Sequence, residues 1–245
     1  EGRVLHLGLA ADERYRIRVP LAEVSPELVR ATLAFEDEHY FSHPGVNPLS
    51  MIRALLGRVQ GVSRGGGSTI TMQYARLRFR LSTRTISGKL QQMLCAMQLE
   101  KYYSKEQILE AYLNTAPYGG NVEGVAAASL RWCGHDGKTM DVAEAVALVM
   151  LPQRPALRRP RPGHDENPGT IAARMRLLEK LGHRDPMLAD YRWQAHPVPR
   201  EAPHLARLLK SQAGDSTIDQ GLQSIVQDTV LPHLLPVQEK GATNT

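Results

Sequence analysis

Hydrophobic residues recur along most of this chain at three- and four-residue steps, the period of amphipathic helices rather than of strands. Weak alternation is confined to residues 1–24, where Val4, Leu5 and Leu7 and then Arg14–Val19 read as an extended arm or short hairpin. Ser25-Pro26 supplies an N-cap and a first-turn proline, opening a helix expected to run to about His39, with Val29, Leu33 and Glu36 on one face. Asn47-Pro48 begins a second helix that ends before Gly61. Gly65-Gly66-Gly67 reads as a flexible loop, with Ser68 placed to cap the segment after it. A long amphipathic helix is expected from about Thr85 to Tyr103, with Ile86, Leu90, Met93, Met97 and Glu100 on one face. Ser104 with Gln107, and Asp141 with Glu144, spell two capping boxes, for helices ending near Asn114 and at Pro152. Between them Asn121–Cys133 is small and Ala-rich, and Gly134 stops it. Asn167-Pro168 opens a last long helix that ends at Gly182. With no internal repeat and no alternation of strands and helices, the expected fold class is mainly α. The expected organisation is an arm over residues 1–24, a helical domain over 25–184, a Pro-rich linker over 185–215 and a final segment over 216–245.

Composition changes this picture little. Of 245 residues, 42% are hydrophobic and 22% charged, which excludes disorder and fibrous repeats. The longest apolar run, Val142–Leu151, is half what a bilayer span needs and contains Glu144. With no initiating Met and no signal peptide, the chain is expected to be a piece of a longer one. Charge is more informative. From His39 through Leu99 there is no Asp or Glu, and these 61 residues carry seven arginines and Lys89. Such a block favours an anionic partner: phosphate, nucleic acid or an anionic membrane surface. Its aromatics are only Tyr40, Phe41, Tyr74 and Phe79, too few for the stacking platforms of a nucleic-acid binder.

Candidate chemistry centres on two glutamates. Glu36 and Glu100 each fall on the apolar stripe of their helix. A carboxylate there is either held in a structural ion pair or lines a cleft suited to proton transfer, and spacing leaves both readings open. The segment Gly61–Ser68 nearly spells a phosphate-binding P-loop, but Gly67 stands where the lysine belongs and the preceding residues are helical. That excludes a nucleotide-hydrolysing loop and leaves a phosphate-facing turn or a plain surface loop. His39 and His43 lie near Glu36, but Pro44-Gly45 breaks the helix there, and Cys133 with His135 is a weaker pair still; no metal site is expected. Serine acyl-enzyme motifs are absent.

Together the motifs resemble a known family. Glu36-Asp37-Glu38-His39-Tyr40-Phe41-Ser42-His43-Pro44-Gly45 is similar to the E-D-x-x-F-x-x-H-x-G motif of the peptidoglycan glycosyltransferases, glycosyltransferase family 51. Gly66–Gln73 resembles that family's G-G-S-T-I-T-Q-Q, and Leu99-Glu100 with Ser104-Lys105 and Ile108–Asn114 resembles its third motif. Gly124–Ala128, Glu144-Ala145 and Leu151-Pro152-Gln153 match later ones, and several spellings resemble the penicillin-binding protein 1C branch. Ser216–Gln223 looks like the opening of the transpeptidase domain found next in bifunctional class A penicillin-binding proteins.

The resemblance implies a lysozyme-like helical fold with a large head lobe and a smaller jaw. It implies polymerisation of lipid II onto a growing glycan strand at the outer face of the bacterial cytoplasmic membrane, with any membrane anchor lying outside this chain. Catalysis is then expected of Glu36 and Glu100. Substrate binding is expected of Asp37, His43, Gly66, Gly67, Ser68, Thr69, Gln73, Arg76, Arg84 and Lys89. The implied partners are lipid II, the glycan, the membrane surface and moenomycin-type inhibitors, and not nucleic acid. A divalent cation, Mg2+ or Mn2+, is a possible companion of the diphosphate. The chain departs from the motifs at Met72, where the family has its first Gln, at Gly88, where it has Arg, and at His39. A lytic transglycosylase or muramidase, and a lipid II-binding domain without turnover, are the alternatives.

Overall fold

The computed structural model describes residues 4–52, 67–153 and 167–201, residues 205 and 208, and 216–219, 221–223, 225, 226, 228 and 229. Contacts divide the chain into two units, residues 9–197 and residues 1–8 with 198–245.

Seven helices of the larger unit lie wholly within the described residues: α1 (Pro26–Glu36), α2 (Ile70–Phe79), α3 (Ile86–Tyr102), α4 (Lys105–Thr115), α5 (Val125–Trp132), α6 (Val142–Val149) and α7 (Pro168–Lys180). Among the described residues no strand joins them; pairing is limited to isolated bridges. The mainly α expectation holds. Helix α6 is the most apolar, with Ala145, Val146, Ala147 and Leu148 all buried, and it packs against α1 and α7. Helix α2 packs against α3 and α4, and Ile70, Met72 and Ala75 of α2 and Ile108, Leu109 and Leu113 of α4 are all buried. Each such aliphatic side chain contributes about 1.5–3 kcal/mol of burial.

Local signals set many helix starts. Both capping boxes form, Ser104 with Gln107 and Asp141 with Glu144, each contributing on the order of 1 kcal/mol. Asn167 caps α7. Three expectations need correction. Helix α1 stops at Glu36 rather than His39, because Asp37 leaves helical geometry (φ −162°) and its carboxylate bonds elsewhere. The cap of α2 is Thr69, not Ser68: the Thr69 hydroxyl accepts from Met72 N at 3.1 Å, while Ser68 serves Lys89. The apolar stripe of α3 is not its buried face. Gln92, Ala96 and Leu99 are buried, whereas Ile86, Leu90, Leu94 and Met97 are 83%, 54%, 63% and 47% exposed. The second expected helix is seen at residues 48–52, and its remainder and Gly65-Gly66 lie outside the described residues.

Residues 9–24 are tied to the helical unit by polar contacts. Arg14 and Arg16 bond the Glu123 carboxylate, the Arg16 contact at 2.6 Å. Burial pushes Glu123 up, but the two guanidinium groups outweigh it and hold the carboxyl below its usual range. Asn114 clamps Val19, accepting from its N–H at 3.0 Å and donating to its carbonyl at 2.8 Å. Further on, buried Arg174 donates to the Ala189 and Tyr191 carbonyls, docking residues 186–193 on α7. In the smaller unit His6 and Arg200 form an antiparallel bridge, flanked by bonds from Leu7 N to the Pro199 carbonyl and from Glu201 N to the Leu5 carbonyl.

Candidate active site

Asp37 organises the site. It comes directly after α1, and one of its carboxylate oxygens accepts from His43 Nε2 at 2.9 Å and from Ile70 N, the first residue of α2, at 3.1 Å. The C-terminus of α1 and the N-terminus of α2 are thereby held by one charged acceptor, on a helix end that favours negative charge. Asp37 and His43 are both buried. The motif assigns them to substrate binding; their side-chain hydrogen bonds are to each other and to the backbone of α2.

Gly45 brings the loop after His43 against α3. It has φ +84°, and a Cβ there would lie 2.8 Å from the Ala96 carbonyl and 2.9 Å from Glu100 Cγ. Only glycine allows this approach. The Gly45 carbonyl then accepts from Thr69 Oγ1 at 2.6 Å, so the two loops and the cap of α2 share one hydrogen-bonded seam.

On one side of that seam stands Glu36, the last residue of α1. Its Oε2 accepts from Gln73 Nε2 at 2.8 Å and from Gln153 Nε2 at 3.2 Å. Gln73 in turn accepts from the Tyr112 hydroxyl at 3.5 Å. Burial raises the Tyr112 and Tyr118 phenols well above their ordinary range, and the charge of Glu36 adds to both shifts, so both stay protonated. On the other side, Glu100 Oε1 accepts from Thr71 Oγ1 at 2.5 Å and from Lys105 Nζ at 2.7 Å. Lys105 also donates to the His43 carbonyl at 2.7 Å and stands 4.4 Å from the centre of the Tyr40 ring.

Glu36 lines a cleft of about 260 Å3 together with Ser68, Gln73, Arg76, Lys89 and Gln153. Lys89 Nζ is placed by Ser68 Oγ at 2.5 Å and by Gln92 Oε1 at 2.9 Å, and Gln92 by the Met72 carbonyl at 2.6 Å. A smaller depression of about 170 Å3, lined by Asp37, Gly67 and Thr69 among others, adjoins it at Glu36 and Ser68. Thus Glu36, Ser68, Gln73, Arg76 and Lys89 come together. Arg84 does not join them: it is exposed in the bend before α3, and Thr83 is the residue of that segment that reaches the cleft. Gly66 lies outside the described residues. Motif letters alone overlook Thr71, Gln92, Lys105 and Gln153. Thr71, Lys105 and Gln153 stand inside matched motifs, and their polar side chains are the available signal.

Mg2+ and Mn2+ take hard oxygen ligands, usually one or two carboxylates plus substrate phosphates. Among the described residues Glu36 is held by two amides and Glu100 is compensated by Lys105. A divalent ion bound through Glu100 would share that carboxylate with the Lys105 ammonium.

A family model described as Transglycosylase matches residues 2–181. The chain belongs to the transglycosylase family. Its relatives include penicillin-binding protein 1C of Escherichia coli strain K12, 36% identical over 233 residues, which are 89% of this chain and 30% of that protein. Penicillin-binding protein 2D of Bacillus subtilis strain 168 is 34% identical over 166 residues, 67% of this chain and 24% of the relative. Penicillin-binding protein 1A of E. coli K12 is 32% identical over 170 residues, 69% of this chain and 20% of the relative. The chain therefore spans less than a third of the length of these curated relatives.

Two departures of this transglycosylase chain from the family motifs have local explanations. Met72, in α2, is wholly buried, where an apolar side chain needs no partner. At Gly88 a Cβ would fall 1.9 Å from the Ser82 carbonyl oxygen, so the turn before α3 excludes any side chain.

Proposed function

We propose that this chain is a peptidoglycan glycosyltransferase that polymerises lipid II into β-1,4-linked glycan, in bacterial cell-wall synthesis, with release of undecaprenyl diphosphate. The observation that carries this reading is the meeting of one carboxylate, Glu36, with two cations, Arg76 and Lys89, in a single cleft. A glycosidase of the lysozyme type needs two carboxyl groups about the scissile bond and no diphosphate site. A transferase acting on a sugar diphosphate needs a base at one end and fixed positive charge at the other.

The donor is an α-linked sugar diphosphate and the product is β-linked, so a single displacement inverts the anomeric carbon. Glu36 takes the proton from the acceptor 4-hydroxyl as that oxygen attacks. Gln73 and Gln153 donate to one carboxylate oxygen and aim the group. The bond to the leaving diphosphate breaks in the same step, and the charge that develops there faces Arg76 and Lys89. Glu100, tied to Thr71 and Lys105, fixes the wall of the site on the α3 side. Phosphoglycolipid inhibitors of the moenomycin type carry the same anionic chemistry and compete for the same cations.

The exposed apolar residues of α3 support work at a membrane surface, where the polyprenyl tail of lipid II resides. We place the domain on the periplasmic face of the cytoplasmic membrane. No described helix is long and apolar enough to cross a membrane. The deciding experiment incubates labelled lipid II with the chain and resolves products by length. Glycan ladders that vanish with Glu36→Gln are expected. Binding without elongation would instead mean a lipid II-binding domain, and cleavage of preformed glycan a lytic enzyme.

A further inference from the structure

Remote from the residues that line the cleft, three side chains of different chemistry converge where α5 ends and α6 begins. Cys133 is the C-cap of α5, His135 lies in the turn after it, and Glu144 is the third residue of α6. One ligand atom from each lies within 4.8 Å of the other two. His135 Nε2 is 3.1 Å and 3.2 Å from the two oxygens of Glu144. The sequence shows Cys133 and His135 two residues apart and nothing more; the fold adds the carboxylate.

The surroundings hold this arrangement rigidly. Cys133 N and Gly134 N both donate to the Ser129 carbonyl, at 2.8 Å and 3.0 Å. Gly134 has φ +85° and a Cβ there would strike the His196 ring; Gly137 has φ +80° and a Cβ there would strike Ser129. The turn carrying His135 therefore packs closely against Ser129 of α5 and the His196 ring. Glu144 Oε2 accepts from Asp141 N at 3.1 Å in the capping box, which orients the carboxylate. All three side chains are half-buried, so solvent reaches them.

We propose that Cys133, His135 and Glu144 form a site for a divalent transition metal of the zinc class, with water completing the fourth position. A thiolate, an imidazole and a carboxylate are a mixed donor set that suits Zn2+ and Co2+. Mg2+ and Ca2+ prefer all-oxygen shells. Donors 2.0–2.3 Å from a tetrahedral ion stand roughly 3.3–3.8 Å apart, so the three groups are within a side-chain adjustment of that geometry. A bound cation favours the thiolate form of the ligand. Binding releases the thiol proton, and the imidazole coordinates through Nε2 with its proton moved to Nδ1. That step gives up the 3.3 Å contact in which Nδ1 now accepts from Gly137 N. The bound ion would staple the end of α5 to the start of α6.

The test is a Co2+ titration of the reduced, chelator-stripped chain. One equivalent should produce tetrahedral ligand-field bands and a sulfur-to-cobalt charge-transfer band, and Zn2+ should displace both. Cys133→Ser should abolish the charge-transfer band, while Cys95→Ser, at the other cysteine, keeps it. His135→Ala and Glu144→Gln should each weaken Co2+ binding by at least about tenfold, with melting temperatures in chelator close to that of the parent. Glu144→Gln retains the acceptor of the capping box, so it separates ligation from helix capping. Absence of a charge-transfer band in the parent chain, its survival in Cys133→Ser, or unchanged affinity in both His135→Ala and Glu144→Gln would overturn the proposal.

Discussion

The two glutamates of the site are held in opposite ways. Glu36 is gripped by neutral amides, Gln73 and Gln153, and looks into a cleft. Glu100 is gripped by an ammonium and a hydroxyl, with its side chain only 11% exposed. The amides at Oε2 orient the Glu36 carboxylate in the cleft that it shares with Arg76 and Lys89. An ammonium at 2.7 Å cancels the charge and turns the pair into a strut. On the proposed reading the same residue type serves proton transfer at Glu36 and support of the site at Glu100, and this division is open to test.

The largest effect is expected at Glu36. Glu36→Gln should lower glycan elongation by about 10²–10⁴-fold with an unchanged circular-dichroism melt; near-normal elongation by the folded variant breaks the comparison at its root. Lys105→Met should act on stability instead. It strands Glu100 in a nearly buried position, at a cost on the order of 3 kcal/mol, read as a fall in melting temperature of several degrees. Adding Glu100→Gln to that variant should recover part of the loss. If elongation falls and the melt does not move, Glu100 and Lys105 belong to the chemistry after all.

On the proposed reading Arg76→Ala removes one charged hydrogen bond to the diphosphate, and it should weaken lipid II binding roughly 10- to 150-fold. Arg84→Ala, at an exposed position away from the cleft, should leave affinity within about twofold. An equal loss in both variants would mean that the bend before α3 closes over the substrate. The smallest effect concerns a third carboxylate. Glu123 is held below its usual range by Arg16 and Arg14, against its burial. Its contribution is present above the ordinary glutamate pKa of 4.5 and is lost as pH falls through the lower folded value. Glu123→Gln should therefore flatten the acid limb of a melting temperature–pH curve while leaving elongation at neutral pH intact.

How much the sequence reveals depends on the range of the interactions. The two capping boxes and the Asn167 cap are written within four residues of each other, and all three form. The family motifs locate Glu36, Gln73, Arg76 and Lys89, which meet in the cleft. Periodicity identifies an apolar face on α3 but says nothing of what covers it, and its residues Ile86, Leu90 and Met97 are exposed. The cause is tertiary: α2 packs instead on the face carrying Gln92, a polar residue whose amide is satisfied by the Met72 carbonyl. The end of α1 is likewise hidden from local reading, because Asp37 is drawn out of the helix by His43 and Ile70, six and 33 residues away. Glu144 reaches His135 from the next helix, which no local spacing announces.

The contact between position 88 and the Ser82 carbonyl constrains how this lineage can change. A side chain of any kind at position 88 starts 1.9 Å from that oxygen, so an arginine cannot arrive there by one substitution in the present background. The turn over residues 80–85 must be rebuilt with it, and each intermediate must keep Lys89 on Ser68 and Gln92. Position 88 and the turn over residues 80–85 can therefore change only together.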